Sequence, residues 1–431
     1  MSAPNLKLQQ RREATPSPNV AGRSMTRAEL AEAVNAYLWH VRGLRRELDA
    51  HTVARYERGA VRWPSKDYRQ ALCAVLNATE SELGFSALRR TKADDRRDAL
   101  AVNLFSPFDP ATIPNDFMAG PRSRVRVGAS DVSKIRYAAA AAASMENLHG
   151  GGPVSANAAR QLRAFAPLLR GQATPPIRKA LFEAVGNLSA VAAYSAFDID
   201  DYPAAERRFR FALWCADAAG SWELRAATLA DLARKTAYVG NVDGALSLIE
   251  LAQVRSDRLP HTTRAMLATL RAQFLAVIDR TDEALSEVAP ADECFAARRP
   301  GEDAPWMCYY DRAEHLGSTG KALIPVAEKL GHIELAAPRI RQAIQLQGEN
   351  YPRSRTFSRT RLATLTMRIG GPRMAASIGR QAITDAVNFR SRRIHRELAG
   401  LAAAATPHRR IGEVADLCRS IAALPDVEAT A

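Results

Sequence analysis

The sequence predicts an all-α protein, and three observations predict it. Alanine, the best helix former, occurs in runs such as Ala138–Ala143 and Ala402–Ala405, while aromatic residues make up only 6% of the chain. Apolar residues recur at three- and four-residue spacing, the period of one helix face. From about residue 156 onward, helical segments alternate with short turns, over and over. At 431 residues, 47% hydrophobic and 25% charged, the chain holds more than one core serves and is too apolar to be disordered throughout.

The first ninety residues carry the densest local signals. A short helix reads from Leu6 to Ala14, with Leu6 toward the core and its arginines outward, and stops at Thr15-Pro16-Ser17-Pro18, because proline cannot continue a helix. A second begins at Thr26, with Glu29 three residues on as in a capping box, and carries Leu30, Val34 and Leu38 on one face. Asp49 is placed to cap a third, Ala50 to Arg58, closed by Gly59, the usual residue past a helix end. Its Val53 and Tyr56 point inward, while His51, Thr52, Arg55 and Arg58 lie on the opposite side. A short helix with an apolar back and a polar, basic front is what the major groove of DNA admits. Pro64-Ser65 opens a fourth helix with Tyr68, Leu72, Val75 and Leu76, and Thr79 to Phe85 reads as a short fifth.

Thr26-Arg27-Ala28-Glu29-Leu30-Ala31, Thr52 to Gly59, Trp63-Pro64-Ser65 and Ala71 to Leu76 together resemble the helix-turn-helix of phage-repressor-type (XRE) regulators. The resemblance covers roughly residues 6–85. It implies that Arg27, at the start of the second helix, meets a phosphate, and that Ala50 and His51 occupy base-reading positions. It also implies that Glu57 pairs with an arginine of the first helix, for which Arg12 is the candidate. Arg62 lies just beyond the third helix and joins the basic surface. The chain departs from the pattern twice: Pro16 to Gly22 lengthens the first connection, and Val41 to Leu48 exceeds the tight turn that normally joins the central helices, as in actinobacterial members of the group. His51 reads equally as a base contact or a surface histidine, and Trp63 reads as packing beneath the domain.

Residues 91–130 mix charge with Pro107, Pro110, Pro114 and Pro121 and read as a tether, with Arg89, Arg90, Arg122, Arg124 and Arg126 either solvated or touching phosphate. Asp131 then caps a helix through Ala143, and Gly150-Gly151-Gly152 forms a turn. Beyond it, Ala205, Ala245, Ala284, Ala336 and Ala375 recur at intervals of 40, 39, 52 and 39 residues. Small residues so placed let paired helices close, and the pattern resembles a degenerate tetratricopeptide repeat, whose usual period is ~34 residues. The expectation is a right-handed stack of about five helical hairpins over residues 131–431. The longest interval holds a loop, Arg299 to Pro305, followed by Trp306, Tyr309 and Tyr310; arginines follow at 353, 355, 359, 361, 390, 392, 393 and 396. Trp306, Tyr309, Tyr310, Arg353, Arg359 and Arg393 are candidates for a groove that holds a carboxylate or acidic ligand; a solvated convex face is the alternative for any one arginine.

The formal charge of +14 and the pI near 9.9 favour a polyanionic partner. Basic residues gather at roughly 7–69 and 339–419. The five cysteines lie far apart with no Cys-x-x-Cys pair, which fits reduced thiols in the cytoplasm rather than a disulfide framework or zinc module. Neither a signal peptide nor a membrane-spanning apolar run is readable. There is no nucleophile elbow, P-loop, dinucleotide fingerprint or His-Glu-x-x-His, so no catalysis, metal or cofactor is expected. The expected function is sequence-specific binding of double-stranded DNA in transcription regulation. The repeats would sense a peptide or small-molecule effector, form a homodimer or meet RNA polymerase. The rival is a protein-interaction scaffold whose N-terminal part does not read DNA; an RNA adaptor is disfavoured for want of an aromatic stacking platform.

Overall fold

The computed structural model describes residues 4–85 apart from 21, 43 and 45, then 117, and then 125–424 apart from 349, 350, 388 and 390. Among these the protein is all-α: eighteen helices and no strand. It divides into two compact units, residues 1–95 and 96–431.

The first unit holds four helices, α1 (Leu6–Ala14), α2 (Arg27–Arg42), α3 (Ala50–Glu57) and α4 (Lys66–Val75). Their shared core is Leu8, Leu30, Val34, Leu38, Val53, Tyr56, Leu72 and Leu76, closed by Leu83 and Phe85. On α1 the inward residue is Leu8, fully buried, whereas Leu6 is exposed, contrary to expectation. Arg12 decides this rotation: it lies one turn from Leu8 on the same face and is itself buried. The expected fifth helix is a single hydrogen-bonded turn. Thr79 and Glu82 cap each other's backbone N–H groups, but Asn5 Nδ2 donates to Leu83 O at 2.9 Å, occupying a carbonyl that a next helical turn would use.

The second unit begins with α5 (Ala129–His149) and α6 (Gly151–Phe165). Six helical hairpins follow, one more than expected: α7 (Pro175–Asp198) with α8 (Tyr202–Ala219), α9 (Trp222–Tyr238) with α10 (Val242–Gln253), α11 (His261–Val277) with α12 (Thr281–Ala296), α13 (Arg312–Leu330) with α14 (Ala337–Gln347), α15 (Pro352–Ile369) with α16 (Pro372–Ala386), and α17 (Arg392–Ala404) with α18 (Gly412–Ala422). The α5 helix is longer at both ends than Asp131 to Ala143. Asp131 sits inside its first turn, accepting from Gly128 N at 3.0 Å, and nothing between Ser144 and His149 opposes helix. Of the three glycines only Gly150 turns the chain; Gly151 and Gly152 open α6. The tether is anchored in part, since Phe117 stacks on Phe211 at 4.4 Å. Arg126 is exposed beside a short pairing of Val125 and Val127 with Gln172, while Arg89, Arg90, Arg122, Arg124 and Arg390 lie outside the described residues.

The five repeat alanines are all buried. Four occupy the fourth position of the second helix of their hairpin, in α8, α10, α12 and α16, where a larger side chain would wedge the pair apart. Ala336 stands just before α14, displaced by the 3-10 turn Ile333–Leu335. First helices of neighbouring hairpins pack on one another along the whole stack; among second helices only α16 and α18 do so closely. The first helices therefore line the inside of the curve. Helix α7 is long and apolar enough to cross a membrane, but 72% of its apolar window is buried within this unit. None of the five cysteines is disulfide-bonded.

The curve is fastened to its own beginning. Asp198, the last residue of α7, is completely buried. Its Oδ2 accepts from Gly151 N at 2.8 Å. Its Oδ1 meets the guanidinium of Arg353 from α15 and the hydroxyl of Ser391, at 3.0 Å, from the start of α17. Arg393 lies 3.7 Å from the same oxygen, and Glu146 of α5 takes the other side of Arg353 at 2.8 Å. Glycine is required at 151, because a Cβ there would stand 2.4 Å from Ser195 O. We expect Asp198→Asn to lower unfolding stability of the repeat unit by about 3–5 kcal/mol, since two arginines would lose their shared charge in a dry site. Urea denaturation measures this, and an unchanged midpoint would show that the curve is held elsewhere.

Candidate nucleic-acid interface

The exposed front of α3 is built from its caps inward. Asp49 Oδ1 accepts from Thr52 N at 2.7 Å, fixing the helix start; hydrogen bonding by the Thr52 side chain, and then by this backbone N–H, holds the Asp49 carboxyl below the usual aspartate range. The helix ends at Gly59 with φ +72°. Val53, Ala54, Tyr56 and Glu57 are buried, while Ala50, His51, Arg55, Arg58 and Arg62 are exposed and Thr52 is half-exposed. Each side chain assigned to the front from the sequence is thus on the front. At eight residues, α3 is about 12 Å long, comparable with the width of a major groove.

Glu57 orients this helix from behind. Its Oε1 accepts from Arg12 Nε at 2.6 Å and its Oε2 from Arg27 Nε at 2.6 Å. Arg12 also donates to Met25 O at 2.8 Å. Burial opposes the charged form of Arg12, and its hydrogen bond and charge pairing with Glu57 outweigh that, leaving its pKa raised. One carboxylate therefore ties α1, α2 and α3 together. The Arg12–Glu57 pair is as the resemblance implied; the bond from Arg27 to Glu57 is additional, so Arg27 has a structural duty whatever else it touches.

Sequence reading missed the residue that disciplines the insertion between α2 and α3. Asn35 Nδ2 donates to Leu48 O and Asn35 Oδ1 accepts from Leu48 N, both at 2.8 Å. That amide replaces a backbone partner and pins the far end of the insertion to α2, one residue before the cap of α3. A polar side chain on the helix face next to Val34 and Leu38 was the available signal. Trp63 packs against the core with the Arg69 guanidinium 3.8 Å over its ring. The capping box of α2 is present: Thr26 N donates to Glu29 Oε2 at 2.7 Å and Glu29 N to Thr26 Oγ1 at 3.2 Å. Ser17 and Asn19 also donate to Glu29 Oε1, so the lengthened first connection is folded onto the same carboxylate.

The six ligand candidates of the repeat unit do not form one groove. Arg353 and Arg393 belong to the buried fastening around Asp198, and Arg393 also donates to Tyr194 Oη at 3.1 Å. Arg359 points elsewhere on α15, to Asp385 of α16. Tyr310 is buried, its hydroxyl donating to Thr269 at 3.0 Å beside His315. Trp306 is half-buried against the core, and Tyr309 keeps an exposed edge while its hydroxyl meets Met266 Sδ and Arg234. Helix period places arginines six residues apart on different faces, which sequence proximity concealed. Among the described residues, no group of histidine, cysteine and carboxylate side chains is arranged to hold a metal ion.

Two outcomes are expected. Glu57→Ala should destabilise the first unit by about 3 kcal/mol or more, because Arg12 would be left charged in a buried site. Arg27→Ala should cost under about 1 kcal/mol, its side chain being 45% exposed. Hydrogen exchange across α1–α4 reads both, and equal effects would remove the orienting role from the Arg12 pair. Separately, hydrogen bonds from Ser17 and then the Thr26 backbone hold the Glu29 carboxyl at about 2, down from 4.5. A depressed folded-state value means that its contribution is complete above about pH 4.5 and drains away as pH falls toward 2. Exchange at the Thr26 and Glu29 amides should therefore accelerate in acid more in the wild-type protein than in Glu29→Gln, and parallel pH profiles would contradict this.

No protein-family model matches the chain, and neither does any curated protein or solved structure.

Proposed function

We propose that the protein is a cytoplasmic, sequence-specific DNA-binding regulator of transcription. Helix α3 of the first unit reads double-stranded DNA, and the repeat unit carries the regulatory input by taking an effector, pairing with a second copy of the chain or meeting RNA polymerase. The supporting observation is a contrast in how arginine is used. In the C-terminal repeats Arg353, Arg355, Arg359, Arg361, Arg368, Arg393 and Arg396 all contact carboxylates of the same chain. On α3, Arg55 and the adjoining Arg58 are exposed, and their guanidiniums make no hydrogen bond or ion pair among the described residues. Unneutralised guanidiniums on a rigid, capped helix suit phosphate and base-edge contacts, arginine being the commonest reader of guanine.

In this reading His51, with Ala50 and Thr52, faces base edges from the first turn of α3, Arg55 lies one turn further, and Arg58 and Arg62 meet phosphates. Binding should weaken steeply with salt, since neutralised phosphates release counterions. His51→Ala and Arg55→Ala should each cost about 1–3 kcal/mol on the cognate site and relax sequence preference, whereas Arg58→Ala should weaken all sequences alike. Arg27→Ala is a poor phosphate control because it also strips a partner from Glu57. Fluorescence anisotropy with a selected site and a random duplex tests the proposal. Salt-independent binding, no binding, or equal losses on both duplexes would favour the interaction scaffold instead.

A further inference from the structure

We propose that the junction between the third and fourth hairpins of the repeat unit is a proton-responsive joint, in which protonation of His315 loosens α13 from α11 and α12. The inference goes beyond the DNA-binding reading and does not depend on it. His315 stands in the first turn of α13 and is almost completely buried. Its ring is gripped by the hairpin before it and by the loop between the two. Nε2 meets Asp292 Oδ1 of α12 at 2.8 Å, and Nδ1 meets the Tyr310 hydroxyl at 3.2 Å. Phe295 of α12 stacks on the ring face, with centroids 4.2 Å apart. Tyr310 in turn reaches Thr269 of α11 at 3.0 Å. One imidazole therefore joins α13 to both helices of the preceding hairpin.

The arrangement suits a neutral ring. Asp292 accepts from both terminal nitrogens of Arg339 on α14, at 3.0 and 2.6 Å. Burial opposes the Asp292 charge, and hydrogen bonds from Arg339 and His315 outweigh it, leaving the carboxyl below the usual aspartate range. The carboxylate brings no proton, so Nε2 carries one and donates it. Thr269 gives its own proton to Ala265 O at 2.8 Å, which leaves the Tyr310 hydroxyl to serve both Thr269 and the lone pair of Nδ1. A second ring proton would turn that acceptor into a donor. It would also meet two cations: Arg339, which shares Asp292 Oδ1, and Arg298, from the end of α12, whose guanidinium lies 3.9 Å from the centroid of the stacked Phe295 ring. The other charges of the neighbouring helices are directed elsewhere. Glu314 of α13 accepts from Ser318 at 2.7 Å, and Arg271 of α11 pairs with Glu287. The arginines of α15 go to Asp198, Asp385, Glu397 and Glu328.

An imidazolium here would be dry, with one carboxylate already shared. Burial opposes it more than Asp292 favours it, so the ring's pKa lies below the ordinary histidine value. An opened junction, with the ring in water, takes the proton more readily. The closed form therefore has its full advantage above about pH 6.5 and loses it as pH falls toward the lowered value. Asp292 keeps 39% of its side-chain exposure, which gives the proton a way in. The backbone beside the joint is suited to yield. Pro290 lies inside α12, two residues before Asp292, and Pro325 lies inside α13; each removes one helical hydrogen bond.

The test follows two quantities in the full chain between about pH 7.5 and 5. One is the titration of His315, read by NMR on protein isotope-labelled at histidine Cε1 and assigned by the signal missing from His315→Gln. The other is amide-exchange protection in α11–α13, corrected for the pH dependence of the intrinsic rate. Protection should fall as His315 takes its proton, by about tenfold for each unit that its midpoint lies below a free histidine's. Glutamine can donate to Asp292 and accept from Tyr310 but does not titrate, so His315→Gln should hold its protection across the range. Arg339→Gln removes a competing cation and should move the His315 midpoint and the loss of protection to higher pH together. A midpoint at or above the ordinary histidine value, or an equal acid loss of protection in His315→Gln, overturns the joint. If His315→Gln does not fold, Arg339→Gln decides, and midpoints that move independently overturn the proposal.

Discussion

The repeat unit depends on one buried carboxylate. Helical hairpins stacked side by side touch only their neighbours, which by itself gives an open curve. Asp198 adds a contact out of sequence order, joining the end of α7 to α6, α15 and the start of α17. A charge removed from water is expensive unless its hydrogen-bonding capacity is filled, and here a backbone N–H, a hydroxyl and the Arg353 guanidinium fill it, with the Arg393 guanidinium 3.7 Å away. The contact therefore exists in one arrangement or not at all. A second, more exposed set reinforces it: Arg396 donates to Asp200 and to the hydroxyls of Tyr202 and Tyr238. With the curve fixed in this way, side chains from α7, α9, α13, α15 and α17 are held facing the same interior.

The first unit meets a similar problem with a similar device. An eight-residue helix has too few core residues to define its own orientation; only Val53, Ala54 and Tyr56 anchor it apolarly. Glu57 supplies the missing constraint by taking one arginine from α1 and one from α2, and Asn35 supplies another by gripping the chain just before Asp49. The polar front of α3 is then free of structural work. Orientation and recognition are divided between the two sides of one short helix.

What was legible in the sequence was local. The capping box of Thr26 and Glu29, the caps at Asp49 and Ser65, and the recurring hairpin alanines are patterns written within a few residues or at a fixed period, and the structure contains them. The front of α3 was legible because its back is apolar at helical spacing. What was not legible depended on partners far away in sequence. Leu6 and Leu8 are equally apolar, and only the remote Glu57 decides that Leu8 and Arg12 turn inward together. Arg353 meets a carboxylate 155 residues earlier, and Ser391 meets it from 193 residues away, so neither showed any sign of burial.

Charge shows the same lesson with consequences for function. Two basic stretches looked alike in the sequence, and both suited a polyanion. In the C-terminal stretch the arginines are largely spent inside the unit, on Asp198, Asp200, Asp385, Glu328 and Glu397, so their positive charge is cancelled where it stands. The N-terminal stretch is divided: Arg12 and Arg27 are committed to Glu57, while Arg55 and Arg58 are not committed to anything among the described residues. A long-range field follows net charge, but affinity for a phosphate follows guanidiniums whose hydrogen bonds are unfilled.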